Sequence, residues 1–393
     1  MAASTNSLWA SLCNCPGEHP FTEAVPVKSR KHKLGKAILG FLHTAAFPIM
    51  NESCSPEVCC PTMPFEDSRI LLVVCYSIVF ALGLPANCFT TWLTFVQIQR
   101  KNVLAIYIFG LSLCELMYLS TLPLWAIYVQ NKHMWDMGSM ACKLTGYIFF
   151  CNIYISILLL CCISIDRYVA VVYALESKGA RQQRTAIFIT FILFSIVLVI
   201  HCPVFILKDG EQTSNRTTCF ETLPLNLQLA YFNISRFLIG FAIPCTILIF
   251  TNYRIFQSTE ISSSLGKRQK AKVKYLAIAI ITIFLICFAP YHLVLLIRSI
   301  NFFLHQKDSC SFEHRIYSTS AVFLCLSTAN SVADPIIYVL ASEHARKDFY
   351  TSLTKWRYQS SINNSLKLKN SKESQEAAHT SENQNVTTLS NEQ

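Results

Sequence analysis

The sequence predicts an all-α membrane protein: a seven-transmembrane helix bundle with an amphipathic eighth helix. Three observations predict it. Of 393 residues, 52% are hydrophobic and only 14% charged, against about 25% charged in an average soluble domain. Seven apolar runs recur, each long enough to cross a bilayer, which takes roughly 20 helical residues. The basic residues between the runs fall in alternate loops.

The runs lie near 70–96, 103–129, 140–165, 185–207, 227–253, 274–297 and 316–341. In hydrocarbon each must satisfy its own backbone groups, which a helix does and an isolated strand does not. Three loops are basic: Arg100 and Lys101; Lys178, Arg181 and Arg184; and Arg254, Lys267, Arg268, Lys270, Lys272 and Lys274. The intervening loops are poorer in Lys and Arg, so the basic side is cytoplasmic. The expected product is a multi-pass plasma-membrane protein with an extracellular N-terminus and a cytoplasmic C-terminus. The net charge of +10 is thereby consumed by topology, which argues against a nucleic-acid partner.

Four segments follow: an extracellular tail 1–66, the bundle 67–341, a membrane-surface helix 342–358 and a disordered tail 359–393. The basic-then-apolar stretch 28–50 begins too late for a signal peptide, and either Met1 or Met50 can be the start. Asn51 and Asn215 open glycosylation sequons on the outer side. In 342–358, Phe349, Leu353 and Trp356 recur at helical spacing among Arg346, Lys347, Lys355 and Arg357, which suits the inner leaflet surface. Residues 359–393 are too polar to bury a core.

Ionisable residues inside the spans carry the functional signal, because their desolvation is costly. Glu115 and Asp334 fall near mid-span, level with Asn152, Ser156, Asn330 and Ser331. Two carboxylates in one poorly hydrated site resist double ionisation and titrate as a unit. They form a proton- or sodium-responsive pair, with sodium the one candidate cofactor; the plainer alternative is a hydrogen-bonded staple between helices. Arg236 and Arg298 lie in the outer half, where a guanidinium seeks an anion. A fatty-acid carboxylate or lipid phosphate would suit them, with Tyr147, Tyr154 and Phe237 as walls; a resting ion pair is the alternative. His201 and His292 sit on spans at similar depth, and imidazole titrates in the range of tissue acidosis. No His-Glu-x-x-His metal site or nucleophile–base set occurs, so no enzyme is expected. A proton-coupled transporter or channel is the alternative function, although no internal repeat supports it.

The motifs make the reading specific. "GLPAN" ends at Asn87, "LSLCE" carries Glu115, and "SIDRYVAVVYALE" closes the third run. "FAIP" marks the fifth, "FLICFAP" the sixth and "ADPIIY" the seventh. In this order and spacing the chain resembles a class A, rhodopsin-like G-protein-coupled receptor over roughly residues 65–356. "FFCNIYISILLLCCISIDR" and "FLCLSTANSVADPIIYVLA" are most similar to its proton-sensing branch, and to a member associated with acid, lysophospholipids and oxidised fatty acids.

The resemblance implies roles. Asp166, Arg167 and Tyr168 match the inner switch triplet, in which Asp166 holds Arg167 at rest and releases it toward the G protein. Leu175 matches the apolar plug that docks on that partner. Phe284, Phe288 and Pro290 match the sixth-helix hinge; Asp334, Pro335 and Tyr338 match the seventh-helix switch. Cys142 and Cys219 match the usual outer disulfide, and Cys60 is expected to pair with Cys310, with Cys54 or Cys59 as competitors. The implied partners are a heterotrimeric G protein, arrestin, receptor kinases and a lipid or proton ligand. The chain also departs from the pattern. Glu115 replaces an Asp, Phe288 a Trp and Asn252 a Tyr. No carboxylate lies between Arg184 and Lys208, whereas stronger proton sensors of the branch use a buried acidic triad.

Overall fold

The computed structural model describes residues 64–173, 181–205, 212–213, 216–219, 225–261, 266–304, 309–341 and 354. The chain divides into two units, Met1–Pro61 and Thr62–Gln393, and all that is described belongs to the second. The expectations for Asn51, Cys60, Leu175, Asn215, the Cys310 side chain and the surface helix 342–358 lie outside the described residues.

Seven helices are long and apolar enough to cross a membrane. They are α1 (Arg69–Gln99), α2 (Val103–Gln130), α3 (Ser139–Val172), α4 (Gln183–His201), α5 (Leu227–Ile261), α6 (Lys267–Leu304) and α7, the last in two pieces, Ser309–Ser327 and Asn330–Ala341. A two-residue hairpin pairs Gln212–Thr213 with Arg216–Thr217 before α5. Several helices outrun their apolar cores: α3 reaches Val172, α5 reaches Ile261 and α6 starts at Lys267. The added turns of α5 and α6 carry Arg254 and Gln257, and Lys267, Arg268, Gln269, Lys270, Lys272 and Lys274, which sustain a helix once it has left hydrocarbon. The fourth run is shorter than its apolar length suggests. Its α-helix stops at His201 and passes into a 3₁₀ turn, Cys202–Phe205. Pro203, which lacks an N–H, enforces that change.

α3 is the axis of the bundle: 72% of its span core is buried, against 11% in α4. Ile155, Ile157, Leu159 and Leu160 on α3 are fully enclosed. Gly110 lets α2 approach α4; a Cβ there would stand 3.2 Å from Thr190 Cγ2. Small residues at such contacts let membrane helices pack by van der Waals contact. At the start of α3, Gly138 precedes the helix with φ +84°, a conformation that favours glycine. Trp135 Nε1 donates to its carbonyl at 2.9 Å. This turn seats Cys142, which forms the expected disulfide with Cys219. The Cys219 N–H donates to Tyr128 Oη at 3.1 Å, tying the same loop to α2.

The helix interruptions lie beside the polar residues. α5 opens into a π-turn at Leu238–Ala242 and α6 into another at Phe284–Phe288, just before Pro244 and Pro290. In α7 the bonds Thr328 N–H to Cys325 O and Ser331 N–H to Thr328 O tighten the backbone into 3₁₀ form. Pro335 cannot donate to the Ser331 carbonyl four residues back. Asn87 Nδ2 supplies that donor from α1, at 2.7 Å. A proline defect in one helix is thus repaired by an amide from another, which fixes the register of α1 against α7.

Candidate functional site

Arg236 lies in the last turn of the first piece of α5, Leu227–Phe237, just before the π-turn. Its Nε donates to Tyr154 Oη at 2.7 Å and a terminal nitrogen donates to Tyr291 Oη at 2.8 Å. The guanidinium carbon lies 4.6 Å from the Phe150 ring centre, and 5.5–5.6 Å from those of Tyr154, Phe232 and Tyr291. Four aromatic rings therefore cage one cation. Among the described residues no carboxylate pairs with it. Aromatic faces stabilise such a charge by roughly 0.5–2 kcal/mol each, but they bring no negative charge to it, and two of its five N–H donors are used by the two phenols.

Gly240 makes the cage possible, since a Cβ there would stand 2.3 Å from the Tyr154 ring. His201 stacks on Tyr154 at 5.2 Å and His292 meets it edge-on at 5.9 Å. Their Nδ1 atoms donate to the carbonyls of Val197 and Phe288, at 2.9 and 2.7 Å. His292 Nε2 is buried without a hydrogen-bond partner among the described residues. Ring contacts then run inward: His292 stacks on Phe241 at 5.1 Å, Phe241 on Phe284 at 5.2 Å, and Phe284 meets Phe288 at 6.0 Å. The cage is joined by continuous packing to the sixth-helix hinge before Pro290.

Arg236, Tyr154, His201 and His292 are brought together. Tyr147 and Arg298 do not join them. Tyr147 Oη donates to the Leu198 carbonyl at 2.9 Å, and its ring meets Phe205. Arg298 is engaged by Glu313 through Nε, at 2.9 and 3.2 Å, which bridges α6 to α7. An α7 carboxylate of this kind competes for the guanidinium that was expected to face a ligand.

The mid-membrane carboxylates are also brought together, with unequal surroundings. Glu115 is fully buried. Ser156 Oγ and Asn330 Nδ2 each donate to its Oε1 at 2.8 Å, and Ser331 Oγ donates to Oε2. The 3₁₀ turn of α7 is what aims Asn330 and Ser331 at one carboxylate. Asn152 Nδ2 lies 3.6 Å from Cys114 Sγ, beside the cluster. Asp334 is 2% exposed, and neither of its oxygens receives a well-formed hydrogen bond among the described residues, although Asn330 and Glu115 lie alongside. Asn87 Oδ1 and Asn330 Oδ1 are likewise buried acceptors without a donor. The set is built of oxygen acceptors.

At the inner end, Asp166 accepts from Arg167 through Nε and a terminal nitrogen. Tyr168 Oη lies 3.3 Å from Tyr173 Oη. Tyr338 accepts from Gln97 Nε2 at 3.0 Å, and Asn102 Nδ2 donates to Gln97 Oε1 at 2.9 Å. Ser164, Thr251 and Asn252 join α3 to α5 through bonds of 2.7 and 3.0 Å. A cleft lined by Val172, Arg254, Gln257, Ser258 and Ile261 opens between these helices.

The sequence profile of the 7 transmembrane receptor (rhodopsin family) matches residues 86–338. The chain belongs to the rhodopsin family of seven-transmembrane receptors. It is 56% identical over 306 residues to the probable G-protein coupled receptor 132 of Mus musculus, covering 77% of this chain and 78% of that protein. Its identity to the probable G-protein coupled receptor 132 of Homo sapiens is 52% over 320 residues, 81% and 83% of the two chains. G-protein coupled receptor 68 of Homo sapiens is 32% identical over 293 residues, 73% and 78% of the two chains. This is a G-protein-coupled receptor of the plasma membrane, and its partner is a heterotrimeric G protein. The transporter or channel alternative is set aside: the family is a receptor family.

The receptor carries a further cluster in the turn that follows α2. His133 stacks on Phe65 at 4.8 Å, meets Tyr128 at 4.9 Å, and has its Nδ1 3.2 Å from Tyr317 Oη. Nearby, Glu66 accepts from Lys132 at 2.7 Å and Arg69 at 2.8 Å. The Lys132 hydrogen bond, aided by Arg69, holds the Glu66 carboxyl below its usual range. A carboxyl lowered in the folded state contributes above its unfolded pKa, near 4.3, and loses that contribution only as pH falls through the lower folded value. Glu66 therefore stays ionised throughout tissue acidosis. Glu66→Gln is expected to leave the half-maximal pH of receptor activation where it is; a displaced midpoint in an acid titration would assign Glu66 to the sensor instead.

Sequence reasoning missed several residues of these sites. Tyr291, Phe150 and Phe232 complete the Arg236 cage, yet one aromatic among 27 Phe and 16 Tyr carries no signal of its own. In the sequence Arg181 is one of several topology charges. Gln97 stands at the end of an apolar run, where a polar residue reads as a helix terminus.

Proposed function

We propose that this receptor responds to extracellular protons and to anionic lipids, either oxidised free fatty acids or lysophospholipids, by activating a heterotrimeric G protein. The observation that carries the lipid arm is the caged guanidinium of Arg236, which no carboxylate among the described residues neutralises. A carboxylate or phosphate headgroup would complete the fork of Arg236, and an acyl chain would lie along the surrounding rings. The acid arm rests on Asp334, whose buried oxygens lack donors while Glu115 has three. Proton or sodium occupancy of that pair would bias α7 against α2 and α3, which is a population shift between two arrangements.

The alternate basic loops and the outer Cys142–Cys219 bridge support an extracellular N-terminus. Arrestin and receptor kinases would act on the cytoplasmic side, where residues 359–393 are rich in hydroxyls. The test is nucleotide exchange on a purified G protein by purified receptor, titrated first with acid and then with an oxidised fatty acid or a lysophospholipid at fixed pH. Exchange should rise in both titrations. Exchange indifferent to both would overturn the reading.

A further inference from the structure

Asp166 has a second partner that the switch triplet does not include. Arg181, at the start of the segment leading into α4, donates to Asp166 Oδ1 through Nε and to Oδ2 through a terminal nitrogen, both at 2.8 Å. This is a bidentate fork on the carboxylate. Arg167 reaches only Oδ2. The Asp166 side chain is 6% exposed, whereas those of Arg167 and Arg181 are 21% and 29% exposed. The carboxylate is therefore the enclosed member of the triad, and it is shared between two cations.

We propose that Arg181 is a positioning residue of the inner switch, holding Asp166 so that Arg167 can leave it. Two effects act in the same direction. At rest, Arg181 occupies both carboxylate oxygens, so Arg167 is held by one of them and in competition. After release, Asp166 remains paired; without Arg181 it would become a buried, uncompensated charge, which is strongly unfavourable. Arg181 thus lowers the cost of the signalling arrangement without touching the G protein through its own fork. The inference rests on reading Asp166 and Arg167 as the switch.

The test is nucleotide exchange by Arg181→Ala, Arg181→Lys, Asp166→Asn, Arg181→Ala with Asp166→Asn, and Arg167→Ala, each normalised to receptor amount. Arg181→Ala is expected to lower acid- and lipid-stimulated exchange by roughly fivefold or more, the lower bound of ordinary coupling between sites. Arg181→Lys, which keeps charge but not the fork, should recover part of the loss. In the Asp166→Asn background, removing Arg181 should have no further effect, because the carboxylate it serves is gone. A purely structural role would instead lower thermal stability and persist in that background. Unchanged or increased exchange in Arg181→Ala, or an equal loss in the double variant, overturns the proposal. If Arg167→Ala leaves exchange intact, the switch reading fails, whatever Arg181 does.

Discussion

Arg236→Ala is expected to abolish the response to an anionic lipid while the response to acid persists. A hydrogen bond to a charged partner contributes roughly 1.5–3 kcal/mol, which corresponds to about a tenfold to more than a hundredfold loss of affinity. The loss should fall at the upper end here. The Tyr154 and Tyr291 phenols now receive donors from Arg236, at 2.7 and 2.8 Å, and would be left facing the ligand headgroup in its place. Arg236→Lys should retain part of the affinity, because a point charge remains without the planar fork. The measurement is a pair of titrations in nucleotide exchange, lipid at neutral pH and acid without lipid. Equal loss of both responses would defeat the headgroup assignment and make Arg236 a structural cation.

Asp334→Asn is expected to bring exchange at neutral pH to the wild-type acid level and to flatten its dependence on pH and sodium. Asn is close in shape to a protonated Asp and cannot ionise, so it holds the pair in the state that acid produces. The variant should also resist unfolding better than the wild type. Asn puts a neutral amide, which can donate, where two carboxylate oxygens lack donors among the described residues, and each buried group so satisfied relieves about 1–3 kcal/mol. Two readouts therefore move together, with opposite relation to acid: signalling loses its pH dependence and stability rises. An unchanged pH curve would refute the carboxylate pair as the sensor and leave Glu115 as a staple held by Ser156, Asn330 and Ser331.

The two sites were legible to different degrees. Glu115, Asp334, Asn330 and Ser331 stood out because a polar residue in a hydrocarbon span is costly and rarely idle. Their unequal roles were not visible. That three donors converge on Glu115, while Asp334 receives no well-formed hydrogen bond among the described residues, follows from the 3₁₀ turn in α7, and no local sequence pattern announces such a turn. Arg298 shows the converse. Its depth matched that of Arg236, yet Glu313, fifteen residues on, claims it across a helix boundary. Arg181 lay in plain sight among the inner basic residues, and only its fork on Asp166 separates it from Arg184.

Composition, the length of the apolar runs and the placement of Lys and Arg determined by themselves that this chain crosses a membrane seven times. The physical reason is that lipid leaves a backbone few solutions, and helix is the one available to each run alone. The ordered motifs then identified the receptor family. Tertiary structure decided which intramembrane charges meet. Partners in these sites are separated by up to 244 residues along the chain, as in Asn87 with Ser331, and their meeting depends on helix register. That register is set by features read only in three dimensions: π-turns beside Pro244 and Pro290, and an amide from α1 that satisfies the carbonyl freed by Pro335.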